Sequence, residues 1–160
     1  MFTKKQRSTF PYWFAHWCAY QMTALNIGAW KFKYLFHDLE KPFLKLFLPY
    51  KTVQQYHRKA HKHHPEWLEN ELYYYDYRNG GEAGIVNLLD EFDWEGMIID
   101  WECSRFTKIA QPRNAYQEYL YLIEPISFRE KYPHISMYCY HEFSKRALDT
   151  IKKLNLKEEK

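Results

Sequence analysis

Glycine and proline are scarce in this 160-residue chain, at 5 and 7 residues. That scarcity excludes the frequent tight turns on which β-sandwiches and β-barrels depend. Cysteine is scarcer still. Cys18, Cys103 and Cys139 are odd in number, widely spaced and free of any C-x-x-C pair, which argues against a disulfide framework or zinc ribbon and points to a reducing cytoplasm. Long aliphatic runs are missing as well. No residue between Arg7 and Lys31 is charged, a length sufficient for a bilayer span. However, the stretch carries His16, Gln21, Thr23 and Asn26, and only Leu25 and Ile27 as branched aliphatics. It is expected to be the buried central helix of a soluble domain, neither a membrane span nor a signal peptide. The net charge of +3 comes from basic residues scattered among acidic ones. Neither a nucleic-acid nor a membrane partner is therefore expected, although a local patch can still steer a small anion.

What the chain has in abundance is aromatic side chains, 15 Tyr, 11 Phe and 6 Trp, set in stretches of helical period. Rings of this size build a core with rigid walls and clefts. The expected fold class is all-α, a single compact helical bundle spanning 1–160. Ser8 or Thr9 can cap a first helix with Pro11 in its first turn, and Gly28 can stop it in a left-handed conformation. A second helix is expected from Trp30 to Lys41, ended by Pro42, because the residue before proline is pushed out of helical space. The apolar piece from Pro42 to Pro49 reads as a short buried helix or turn. A third helix is expected from Thr52 to His64, ended by Pro65, which would put His57, His61 and His64 on one face. The region 65–84, with Tyr73 to Tyr75 and Gly80-Gly81, reads as a loop or flap. Helices are expected again from Glu82 and, after a break at Asp90 to Asp93, on to Ile109. After Pro112 come a short Tyr-rich helix, a connector over 124–133 and a last helix marked by Tyr140, Phe143, Ala147, Ile151 and Leu154.

The chemistry-bearing residues come in the order His16, then His37-Asp38, then Asp100, each on a different expected helix. Nitrogen and oxygen donors from separate helices can close a shell around a divalent ion. This H…HD…D pattern resembles the HD-domain superfamily of metal-dependent phosphohydrolases, over about His16 to Lys108. The resemblance implies a helical bundle of the HD-domain type, with a metal-site core at about 8–110 and C-terminal helices over 111–156. It implies His16, His37, Asp38 and Asp100 as metal residues. The string HDLEK is similar to the HD-x-x-K of many members and implies that Lys41 meets a substrate phosphate. The stretch HRKAHKHHPEW resembles the extra histidines of two-metal members, from which His57 and His64 are taken as ligands and His61 as a proton shuttle, the choice among His57, His61, His63 and His64 being left open. Asp100-Trp101 is similar to the later Asp-Trp of a phage- and prophage-associated HD-like family.

The function so implied is a phosphohydrolase or phosphodiesterase acting on a nucleotide or related phosphate ester through metal-activated water. Its cofactor would be one or two divalent ions among Mn, Mg, Co, Fe, Ni and Zn, in the cytoplasm of a bacterial or phage-infected cell. Arg105, one turn beyond Asp100, can contact the phosphate or form a salt bridge. Asp93 or Asp90 can replace Asp100 as ligand, although Asp93 suits a helix cap. The histidine run can equally be a solvated face, and Cys103 a small core residue. Three other functions are kept open: a di-iron oxygenase of HD type, a non-catalytic module binding a nucleotide or host protein, and, with least support because no basic helix or stripe is seen, a nucleic-acid binder. Oligomeric state is not read from the sequence.

Overall fold

The computed structural model describes residues 6–79, 82–108 and 113–156. Among them are nine α-helices, short 3-10 turns at Gln6–Ser8 and Phe32–Phe36, and no strand. The helices are α1 (Phe10–Asn26), α2 (Glu40–Leu44), α3 (Tyr50–Ala60), α4 (Pro65–Asn79), α5 (Glu82–Glu91), α6 (Trp94–Thr107), α7 (Ala115–Leu122), α8 (Pro125–Lys131) and α9 (Met137–Lys153). The described residues are thus all-α. None of these helices is long and apolar enough to cross a membrane.

Local signals set the helices that carry the fold. Thr9 caps α1 by accepting the Tyr12 N–H, Pro11 sits in the first turn, and Gly28 follows the end with φ +69°, a conformation that costs glycine nothing. Asp93 caps α6, its carboxylate accepting the Gly96 N–H at 3.2 Å. Met97, Ile98, Ile99 and Cys103 of α6 are fully buried, and α1, α7 and α9 pack around it. A helix covered on several faces must be apolar on several faces. Phe143 of α9 lies 5.1 to 5.8 Å from the rings of Phe92, Trp94 and Phe128, so the core is aromatic, as the composition suggests.

Several expected elements fall elsewhere. α6, and not α1, is the central helix: α1 buries His16, Tyr20 and Ala24 but leaves Phe14, Met22 and Leu25 exposed. The helix expected from Trp30 to Lys41 is instead a 3-10 turn, a break at His37 and Asp38, and α2. Asp38 has φ +62°, which ends any helix there, and Pro42 lies inside the first turn of α2, where its missing N–H is not needed. The helix expected from Thr52 to His64 stops at Ala60, with His61 as its cap residue, and Pro65 opens α4 where a stop was expected. The expected loop over 65–84 is largely α4; Gly80 and Gly81 lie outside the described residues. The expected connector over 124–133 contains α8. The 42–49 piece is not buried, since Phe43, Leu46 and Phe47 are exposed.

Three rungs fix the break that carries His37 and Asp38. The Trp13 indole donates to the Asp38 carbonyl at 2.6 Å, the Trp17 indole to the Leu35 carbonyl at 3.0 Å, and the Gln21 amide to the Tyr34 carbonyl at 2.6 Å. Trp13, Trp17 and Gln21 recur at four-residue spacing and so form one stripe of α1. That stripe holds the turn alongside the helix bearing His16.

Candidate metal centre

The donors arrive from four directions. α1 supplies His16, the turn after Phe36 supplies His37 and Asp38, the end of α3 and the turn behind it supply His57, His63 and His64, and α6 supplies Asp100. His16 Nε2 lies 3.0 Å from Asp100 Oδ1 and 3.7 Å from Asp38 Oδ2. His37 Nε2 lies 3.6 Å from Asp38 Oδ1 and 3.9 Å from Asp100 Oδ1. On the other side, His57 Nε2 lies 3.1 Å from Asp38 Oδ1. Within each of three sets, His16–His37–Asp100, His37–Asp38–His63 and His57–His63–His64, the donor atoms are within 4.8 Å of one another. Two donors about 2.1 Å from one ion can be at most ~4.2 Å apart, so small side-chain adjustments bring each set into range. Asp38 stands between the first set and the third.

The left-handed backbone at Asp38 makes this possible. Adjacent residues of a helix point about 100° apart, whereas the break lets His37 and Asp38 converge. Aspartate is one of the few residues that tolerates this conformation.

The orientation of the rings is fixed from behind. Tyr20 stacks on His37 with centroids 3.7 Å apart and planes 13° apart. His16 places its Nδ1 3.4 Å from the Thr107 hydroxyl, leaving Nε2 to face Asp100. Glu40 contacts His57 Nδ1 and lies 3.3 Å from His61 Nε2, so His57 turns Nε2 inward. A carboxylate behind a ligating imidazole is the usual way to set its tautomer and raise its basicity.

Electrostatics and hydrogen bonding describe the state that ligation needs. Burial pushes His37 down to about 4, against the opposing pull of Asp38 and Asp100, and burial likewise lowers His57, His63 and His64. Burial alone would raise Asp38, but His37, Lys41 and His57 outweigh it and hold the carboxyl well below the usual range. Asp100 is held low in the same way, chiefly by His16 and Lys108. Neutral imidazoles and ionised carboxylates are the forms that bind metal. Yet Nε2 of His37, His57, His63 and His64 and Oδ1 of Asp38 are all buried without a hydrogen-bond partner. Buried polar atoms are almost always satisfied, so these orphans, grouped on either side of Asp38, fit cation ligation. These buried His/Asp groups could hold a metal ion.

A cavity of about 360 Å³ opens over the centre, reaching His16, Asp38, His57, His64 and Asp100. Four cations border it, Lys41, Lys45, Arg58 and Lys108, with Tyr12, Trp13 and Tyr50 among its rings. Lys41 Nζ bonds Asp38 Oδ2 at 2.6 Å.

Of the residues the sequence singled out, His16, His37, Asp38, His57, His64 and Asp100 come together, and Lys41 reaches them. Asp93 is a cap, as its position suggested. Arg105 pairs with Glu102 at 2.9 Å and does not border the cavity. His61 faces Glu40 behind His57 and is also outside it. Cys103 is a buried core residue whose thiol burial raises. Sequence reasoning left His63 as an open alternative and missed Glu40, Tyr20 and Lys108. Lys108 was within reach: Asp100, Ser104 and Lys108 recur every four residues, and Lys108 Nζ bonds the Ser104 hydroxyl at 2.6 Å. No family model matches the chain, and no match is found among curated proteins or solved structures.

Proposed function

We propose that this chain is a metal-dependent phosphoric-ester hydrolase whose substrate is a nucleotide or a similar aromatic phosphate ester. The observation that carries the reading is the set of five orphaned donor atoms, of which those of Asp38, His57 and His64 belong to residues lining a cavity bordered by four cations. A site for a metal alone needs no cationic walls, and a site for an anion alone needs no converging neutral imidazoles.

His16, His37, Asp38 and Asp100 would hold one ion, and His57, His63 and His64, sharing Asp38, a second. Five imidazoles against two carboxylates favour zinc, iron, cobalt or nickel over magnesium. When bound, such an ion polarises a phosphoryl oxygen and activates water near neutral pH. The chain's own part is positioning and charge. Lys41 and Lys108 stand where the phosphoryl group would lie against the donors and offset its charge as it builds. Lys45 and Arg58, farther along the wall, suit further anionic groups, and Trp13, Tyr12 and Tyr50 offer flat faces to a base. With His61 outside the cavity, its suggested role as a proton shuttle gives way to support of Glu40.

The deciding experiment is elemental analysis of protein purified without chelator or nickel resin, followed by a hydrolysis screen of nucleotides with zinc, iron, cobalt and manganese. Bound metal with phosphate release lost on chelation is expected. Metal-free protein that neither takes up these ions nor hydrolyses any phosphate ester would refute the proposal.

A further inference from the structure

α1, the Phe32–Phe36 turn and the 43–48 segment keep outside what most domains bury. Phe10, Phe14, Phe36, Phe43, Leu46 and Phe47 are each at least half exposed, Leu46 to 76% and Phe47 to 83%. Single exposed apolar side chains need no explanation, but a contiguous patch marks a contact surface. These are contiguous. Phe10 and Phe14 stack along α1 with centroids 6.4 Å apart. The indole rungs from Trp13 and Trp17 lay the turn bearing Phe36 beside them. The Lys45 ammonium contacts the Ser8 carbonyl and ties the 43–48 segment to the start of α1, and Phe10 and Leu46 border the mouth of one cavity.

Charge decides what covers this face. Taken by segment, the charges are less evenly mixed than the whole-chain composition suggests: residues 1–64 contain only two carboxylate side chains, Asp38 and Glu40. Both point inward, to the imidazoles. Lys31 and Lys33, at the far end of the turn, are neutralised by Glu95 and Asp93. Lys45 and the exposed Lys51 remain beside the patch with no carboxylate of these segments to meet them. A two-fold contact between copies sets a patch against itself, which would oppose cations to cations.

We propose that this face docks on an anionic lipid surface, with the Phe and Leu side chains in the interfacial layer and Lys45 and Lys51 at the headgroups. This departs from the expectation of no membrane partner, which weighed a spanning helix; docking needs only the face that the fold assembles. Docking would turn the mouth of the cavity, with Phe10 and Leu46 at its border, towards the lipid.

The test is co-sedimentation of the full chain with vesicles of phosphatidylcholine alone and of phosphatidylcholine mixed with phosphatidylglycerol. Binding to the mixed vesicles only, weakening as salt is raised, is expected. The double variant Phe43→Ser, Phe47→Ser should lose at least about tenfold in partitioning, and Lys51→Glu about fivefold or more. These three residues lie outside the metal centre, so circular dichroism and metal content should match the parent. No binding to mixed vesicles, equal binding to neutral ones, or undiminished binding of the double variant would each overturn the proposal. So would a parent dimer in sedimentation velocity that the double variant converts to monomer, which would give the face to a second copy. Hydrolysis that persists while vesicle binding fails removes this inference and leaves the proposed function standing.

Discussion

The ammonium of Lys41 lies 2.6 Å from Oδ2 of Asp38, while Oδ1 of the same carboxylate faces His57 at 3.1 Å and His37 at 3.6 Å. One carboxylate thus serves a lysine on one edge and the metal donors on the other. An incoming ion and Lys41 compete for its charge. Lys41→Met keeps most of the aliphatic stem and is expected to bind metal several-fold more tightly in a titration with a fluorescent competitor. Its turnover should fall about a hundredfold, or about 3 kcal/mol, through loss of a charge-assisted contact made to the reacting phosphoryl group. Unchanged turnover would remove Lys41 from the reaction.

Asp38→Asn keeps the shape of the side chain and a residue type that accepts the left-handed backbone. It is expected to abolish metal-dependent hydrolysis and leave the helical circular dichroism unchanged. Metal addition should then raise the melting temperature of the parent but not of the variant, because an ion stabilises only the state that binds it. A variant still stabilised by metal would take Asp38 out of the centre.

Glu40 contacts Nδ1 of His57, which under the proposed function makes it a positioning residue. Glu40→Gln is expected to weaken metal binding by roughly tenfold to a hundredfold, the usual cost of losing a partner behind a ligating imidazole. Glu40→Asp, which retains the charge on a shorter arm, should recover part of it. Equal affinity in all three proteins would show that His57 does not need this support.

The buried imidazoles make the metal-free protein sensitive to acid. In the unfolded chain His37 takes a proton near its ordinary 6.5, but in the folded chain only near 4. Between those values the unfolded state binds more protons, so stability falls as pH falls. His37 alone would contribute on the order of 3 kcal/mol across that window, and the lowered His63 and His64 act in the same direction. Thermal melts from pH 7 to pH 4 should show a steep loss for metal-free protein, and replacing His37 by Gln should flatten it. A flat profile in the parent would contradict the burial of these rings.

The sequence was most legible where a cap or a period speaks for itself. Thr9 with Pro11 opens α1 and Asp93 opens α6, and both starts depend on backbone N–H groups that nearby side chains can satisfy. The two misplaced boundaries share one cause. Pro42 and Pro65 were read as stops, but proline constrains the residue before it and is equally at home in a first turn, so it marks a boundary without saying on which side the helix lies. The same error kept His63 an open alternative and out of the set taken as ligands. On a helix running to His64 it would point away from His57 and His61, but in the turn before Pro65 its ring comes within 5.5 Å of His57 and 5.0 Å of His37, centroid to centroid. The candidates His16, His37, Asp38 and Asp100 were singled out by residue type, order and the family resemblance these carry. Glu40, Tyr20 and Lys108 were not, because a supporting role depends on which atoms lie behind a ring.

The ladder from Trp13, Trp17 and Gln21 to the His37-Asp38 turn bears on when the centre can exist. The turn has only a few local bonds to hold it, such as those from the His37 N–H to the Tyr34 carbonyl at 3.1 Å and from the Lys41 N–H to the Asp38 carbonyl at 3.2 Å, and its donors meet Asp100, some sixty residues away in sequence. Contacts of that span form late, after the loop between them has been closed. Partly folded chains would therefore present scattered histidines and not a chelate, and high-affinity metal uptake, followed in time during refolding, would report the last step of assembly and none of the earlier ones.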